Sequence, residues 1–217
     1  MAGAAAAAPA TAMRIVIVLL LLLLPAEAGA HALVVGRSPA AGAVLPQSPR
    51  EIRITWSEPV TAATLVGIAA DGSTITGPIA SDGAVLRAPV SAALPDGRYA
   101  YATTATSADG HVVAVASAFA VRLPTPAAAA TTITAGDHRL RLSGARVGVR
   151  TVRLWGRLRS GTIRWTTPLV PAPFVWTFRN GTARGMLPFA GTYTFEVRAR
   201  TGPFTEAIVR GSAAIAP

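Results

Sequence analysis

Few side chains in this sequence offer chemistry beyond hydrogen bonding, and their types narrow it quickly. The 217 residues hold no cysteine, and all 20 basic residues are arginine. That excludes disulfides, thiolate metal sites, iron–sulfur clusters, a cysteine nucleophile, a Walker lysine and a Schiff-base lysine. The histidines are His31, His111 and His138. His31 directly follows Ala28-Gly29-Ala30. A polypeptide that begins with histidine has two nitrogen donors on one residue, the α-amine and the imidazole, and they can close a chelate ring on one metal ion. His111 ends Ser107-Ala108-Asp109-Gly110-His111. In an extended segment Asp109 and His111, two apart, share a face. Together these groups supply up to three nitrogens and one oxygen. In tetragonal geometry that borderline-hard set suits Cu(II) best among common ions. Zinc tolerates the same donors but usually draws on more side-chain ligands. His138, in Gly136-Asp137-His138-Arg139, reads as a polar loop residue.

For His31 to begin the chain, a protease must cut just before it, and the preceding sequence has the order of a secretory signal. Arg14 is followed by ten aliphatic residues at 15–24, then Pro25 and small residues up to Ala30. Ten residues make ~15 Å of helix, about half of a ~30 Å bilayer core. Residues 1–30 are therefore expected to be a signal peptide cut after Ala30. The protein is then exported, to a periplasm or to the extracellular face of the cell envelope.

The rest of the chain must bring position 31 to positions 109 and 111. Ile52, Ile54 and Trp56 alternate with Arg53, Thr55 and Ser57, the period of a half-buried strand. Tyr99 and Tyr101 repeat that pattern, and Val115, Phe119 and Val121 share a strand face. Asp71-Gly72, Asp82-Gly83 and Asp96-Gly97 punctuate the runs as turns. Farther on, Phe174, Trp176 and Phe178 line one face before an Asn180-Gly181 turn, and Tyr193, Phe195 and Val197 line another. The phrase Leu94-Pro-Asp-Gly-Arg-Tyr99 is echoed by Leu187-Pro-Phe-Ala-Gly-Thr-Tyr193, a tyrosine entering a late strand after a glycine turn, as at the corner of immunoglobulin-like sandwiches. The expected fold is all-β: two tandem immunoglobulin-like β-sandwich domains after the signal peptide. Their expected bounds are 31–122 and 131–217, with a Pro/Ala linker at 123–130 beginning Leu123-Pro124-Thr125-Pro126. Charge separates the two. Residues 31–124 balance six arginines against six acids, whereas residues 125–217 set thirteen arginines against three.

Four phrases occur in order: His31-Ala32, Ser38-Pro39-Ala-Ala-Gly42, Thr55-Trp-Ser-Glu58-Pro59-Val60 and Ser107-Ala-Asp-Gly-His111. Residues 31–121 thereby resemble the CopC family of exported copper-binding proteins. The resemblance implies an immunoglobulin-like sandwich binding Cu(II) through the N-terminal amine, His31, Asp109 and His111. It further implies a role in copper resistance or homeostasis without catalysis, as a carrier or buffer, and a CopD-like membrane copper transporter as partner. The Met-rich Cu(I) site of some members is not carried over, because methionine occurs only at 1, 13 and 186. Residues 188–201 resemble, over common strand types, the C-terminal extracytoplasmic domain of CopD-type proteins and YtkA-like domains.

Glu58 either ends its strand or hydrogen-bonds a ligand imidazole, as carboxylates behind a metal site often do. The arginine-rich half reads as a solvated strand face or as a surface for an anionic envelope partner; export argues against nucleic acid. Trp155 and Trp165 are expected either to extend that surface or to bury against the first domain. Two other functions fit parts of the pattern. A copper-dependent polysaccharide monooxygenase also uses an N-terminal histidine and a second histidine, but Asp109 would fill the position that oxygen needs. A metal-free structural protein of the envelope needs none of these donors.

Overall fold

The computed structural model describes residues 31–123, 130–135, 138–143, 148–154, 158, 160–200 and 205–217; within 130–154 it describes the backbone alone. The expected signal peptide, most of the expected linker and Trp155 lie outside these residues. Every element among the described residues is a β-strand, as the alternating patterns require. No helix there is long and apolar enough to cross a membrane. Backbone contacts group residues 31–217 as one compact unit.

The first eight strands are β1 (Val34–Ser38), β2 (Ala43–Leu45), β3 (Glu51–Trp56), β4 (Thr61–Ile68), β5 (Ala80–Asp82), β6 (Val85–Pro89), β7 (Gly97–Thr106) and β8 (Val112–Val121). One sheet has the order β1-β3-β6-β5. Facing it, β7 pairs with β4 and β8, and β8 pairs with β2. The expected alternation is observed. Ile52, Ile54 and Trp56 are buried, together with Tyr99, Tyr101, Phe119 and Val121, in one apolar cluster between these layers. The expected tyrosine corner is present too, with Tyr99 Oη donating to the Pro95 carbonyl at 2.9 Å.

The remaining strands are β9 (Ala130–Ala135), β10 (His138–Ser143), β11 (Gly148–Leu154), β12 (Ser160–Thr167), β13 (Val170–Arg179), β14 (Thr182–Leu187), β15 (Gly191–Arg200) and β16 (Glu206–Ile215). They run in the order β16-β15-β12-β13-β14-β11-β10-β9. A second tyrosine corner closes here, Tyr193 Oη lying 3.2 Å from the Phe189 carbonyl oxygen. His138 opens β10, paired with Ala135, and is a strand residue instead of a loop residue. Trp165 is fully buried against Trp176 and Phe195 and extends no surface. Its neighbours in sequence alternate with it, so its face was readable, but the size of the aromatic cluster that encloses it was not.

A single parallel pairing, Phe174 with Ala116, ties β13 to β8. On the side of β7 and β8 away from the first cluster, Ala100, Ala102, Ala116, Ala118 and Ala120 are buried in a core shared with Phe174, Trp176, Met186 and Phe195. Small side chains at alternating positions let the second group of strands approach β7 and β8 closely. Away from its turn, that hairpin is thereby buried on both faces.

Candidate metal centre

Two structural devices deliver the three side chains. The first fixes the start of β1. Ala32 is completely buried, and Leu33 is clamped to Ser57 twice: its N–H donates to Ser57 Oγ at 2.9 Å, and its carbonyl accepts from Ser57 N–H at 2.8 Å. His31 is one residue from this anchor, so little backbone freedom remains to it. Beyond the clamp, a register shift between Val34 and Gly36 lets β1 settle onto β3.

The second device is the β7–β8 turn. Ser107 and His111 bracket it: Ser107 N–H donates to the His111 carbonyl at 2.9 Å, and Gly110 N–H donates to the Ser107 carbonyl at 2.9 Å. Gly110 takes a φ of +84°, a left-handed conformation that suits glycine. The convergence of Asp109 and His111 thus comes from a tight turn and not from extended backbone, contrary to the expectation from their spacing. Asp109 Oδ1 accepts the His111 N–H at 3.1 Å and the Ser107 hydroxyl, whose side chain is buried. Ser107 Oγ also lies 2.9 Å from the His111 carbonyl oxygen.

With Oδ1 committed, Oδ2 faces outward between the histidines. It lies 3.0 Å from His31 Nδ1 and 2.9 Å from His111 Nδ1. The imidazoles meet edge to face, with centroids 4.4 Å apart and planes at 81°. One ligand atom from each of His31, Asp109 and His111 lies within 4.8 Å of the others. Donors bound at ~2 Å to one ion are at most ~4 Å apart, so they need close by less than about 1 Å to meet on a metal. The Ser107 hydroxyl above all, then the His111 N–H and imidazole, hold the Asp109 carboxyl at about 2, well below the usual carboxylate range. It is therefore an anion at any pH where the imidazoles are neutral.

Glu58 follows the end of β3, and Oε1 is buried without a hydrogen-bond partner. No bond joins it to either imidazole among the described residues; the Nδ1 atoms of both turn to Asp109 instead. Ser107 is the residue that sequence reasoning missed. Its only signal was its place two residues before Asp109, where a short hydroxyl side chain can brace an Asp-Gly turn.

Comparisons with known proteins bear on this half of the chain. No curated protein sequence matches it. Among solved structures, CopC from Methylosinus trichosporium OB3b is similar at 22% identity and a TM-score of 0.38, over 42% of this chain and 93% of that one. PcoC from Escherichia coli, a copper resistance protein, is similar at 19% identity and a TM-score of 0.37, over 42% of this chain and 99% of that one. Fibronectin(III)-like modules of Clostridium thermocellum CbhA align over 86% of this chain at 12% identity and a TM-score of 0.27. The family model of the CopC domain matches residues 34–122, the span that builds the turn with Asp109 and His111.

Proposed function

We propose that the protein is an exported copper carrier or buffer that binds Cu(II) through His31, Asp109 and His111 together with the α-amine freed by cleavage before His31. The observation that carries this reading is the single oxygen, Asp109 Oδ2, shared by two imidazole nitrogens at 3.0 and 2.9 Å. The nearby solved structures named for copper resistance, and the CopC domain itself, support the choice of metal. So does the donor set, since nitrogen-rich sites favour Cu(II) over other divalent ions. Binding requires neutral nitrogens: each imidazole carries its one proton on Nε2 so that Nδ1 offers its lone pair to the metal, and the amine gives up one proton to solvent. The amine and His31 Nδ1 close a chelate ring, while Asp109 supplies the negative charge. No step of a reaction is assigned to the site, and the protein acts by holding and releasing the ion.

Handing over copper requires an accessible site. Leu33 and Val112 stand beside the two histidines, 62% and 70% exposed, an apolar rim of the kind a docking partner covers. A CopD-like membrane transporter is the partner we infer. Calorimetric titration of the chain beginning at His31 is expected to give one tight Cu(II) equivalent. The same chain extended by a single Met before His31 is expected to lose most of that affinity, and equal binding by both forms would refute the role of the amine.

A further inference from the structure

The arginines of the C-terminal half have no part in the metal site. We propose that the outer face of β12, β13, β15 and β16 is a docking surface for the headgroups of an anionic phospholipid bilayer; this does not depend on the copper reading. Strand alternation sends the aromatic side chains of this sheet inward and its polar ones outward. The register assembles the outward side chains in rows. Val175, Arg164, Glu196 and Arg210 form one row, and Thr177, Thr162, Arg198 and Ile208 form the next. With Arg179 and Arg200 at the strand ends, the face holds five arginines against two glutamates, Glu196 and Glu206.

The glutamates are already committed. Glu196 bridges Arg198 at 2.6 Å and Arg210 at 2.7 Å, and Glu206 lies 3.8 Å from Arg198. Those guanidiniums, above all Arg198, depress the Glu196 carboxyl below the ordinary range. Arg164, Arg179 and Arg200 form no ion pair among the described residues. A depression of about 450 Å³ opens on this face, lined in part by Arg164, Arg210, Glu196 and the Thr166 and Thr194 hydroxyls.

The shape of this surface selects the occupant. Four strands at ~4.8 Å spacing spread the charge over a sheet face roughly 14 Å across, and not along a groove that would track one polymer strand. Ile208 and Val175 are 44% and 37% exposed among the arginines. Guanidinium groups bind phosphate oxygens in pairs, while aliphatic side chains gain by reaching past the phosphates.

The test uses the chain from His31 onward, which comprises the compact unit. Co-sedimentation is measured with vesicles of phosphatidylcholine alone and of phosphatidylcholine mixed with phosphatidylglycerol. Binding is expected only to the mixed vesicles and is expected to weaken with salt. The triple variant Arg164→Thr, Arg179→Thr, Arg200→Thr is expected to bind on the order of a hundredfold more weakly, at roughly fivefold per arginine near an anionic surface. The double variant Arg50→Thr, Arg87→Thr, in the first half, is expected to bind as the parent does. Circular dichroism and an unchanged Cu(II) titration verify that the triple variant is folded. Equal binding to neutral vesicles, undiminished binding by the triple variant, or capture by soluble polyphosphate without vesicle binding would each overturn the proposal.

Discussion

Asp109 divides its carboxylate between two tasks. Oδ1 is held by Ser107 and by the His111 N–H, and that leaves Oδ2 aimed at the histidines. Replacing Ser107 by Ala removes the hydroxyl hydrogen bond that does most to hold the Asp109 carboxyl low, so the carboxyl is expected to rise from about 2 toward its ordinary value. Carboxyl carbon NMR across the acid range reads this directly. In the proposed site Ser107 orients a ligand without being one, so the same change is expected to cost ~10–100-fold in Cu(II) affinity. An affinity equal to the parent's would show that the turn does not need the hydroxyl. The sign for pH follows from the same value. A depressed carboxyl stabilises the fold above its unfolded pKa near ~3.9, and that contribution is lost as pH falls toward about 2. Acid is also expected to weaken Cu(II) binding at the proposed site, because protons compete with the metal for its nitrogen donors. The three donors were legible as residue types; the means of holding them was not. Spacing placed Asp109 and His111 on one face of an extended segment, yet a left-handed Gly110 and the buried Ser107 bring them together. Of the two roles open to Glu58, no bond to an imidazole is formed among the described residues, and its Oε1 is buried without a partner.

At the level of elements, alternation with large side chains was the legible part, and alternation with small ones was not. Ile52, Ile54 and Trp56 announce a buried strand face, and so do Phe174, Trp176 and Phe178. Both tyrosine corners were also foreshadowed by a repeated local phrase, because the bond from Tyr to a carbonyl four residues back depends only on local chain geometry. Ala100, Ala102, Ala116, Ala118 and Ala120 carry no such announcement, since alanine suits exposed and buried sites alike. Their burial depends on which strands come to lie over them, and no local pattern encodes that. Ala118 pairs with Ala100 and is 2% exposed. Ala118→Leu is therefore expected to overpack this layer and destabilise the fold by about 1–3 kcal/mol in urea denaturation. The turn holding Asp109 is far along β8, and Cu(II) binding at saturating folded protein should survive. A neutral effect on stability would show that the alanine layer is loosely packed.

The molecule as a whole combines an uncharged-on-balance half that presents the histidines with a half that carries the excess arginine. That asymmetry was legible by counting, although the face that displays it required the register of β12, β13, β15 and β16. Joining the halves is the core beneath β7 and β8, and it predicts that residues 31–217 unfold in one calorimetric transition. Two separated transitions would show that each half is stable alone. The proposed copper function depends most on the donors themselves. Electron paramagnetic resonance of Cu(II) bound to the chain beginning at His31, with and without nitrogen-15 labelling of histidine, counts them. Couplings from three nitrogens, all sensitive to the label, are expected for a site built as proposed, and they fall to two when one Met precedes His31. A spectrum left unchanged by that extension, or by His111→Ala, would contradict it.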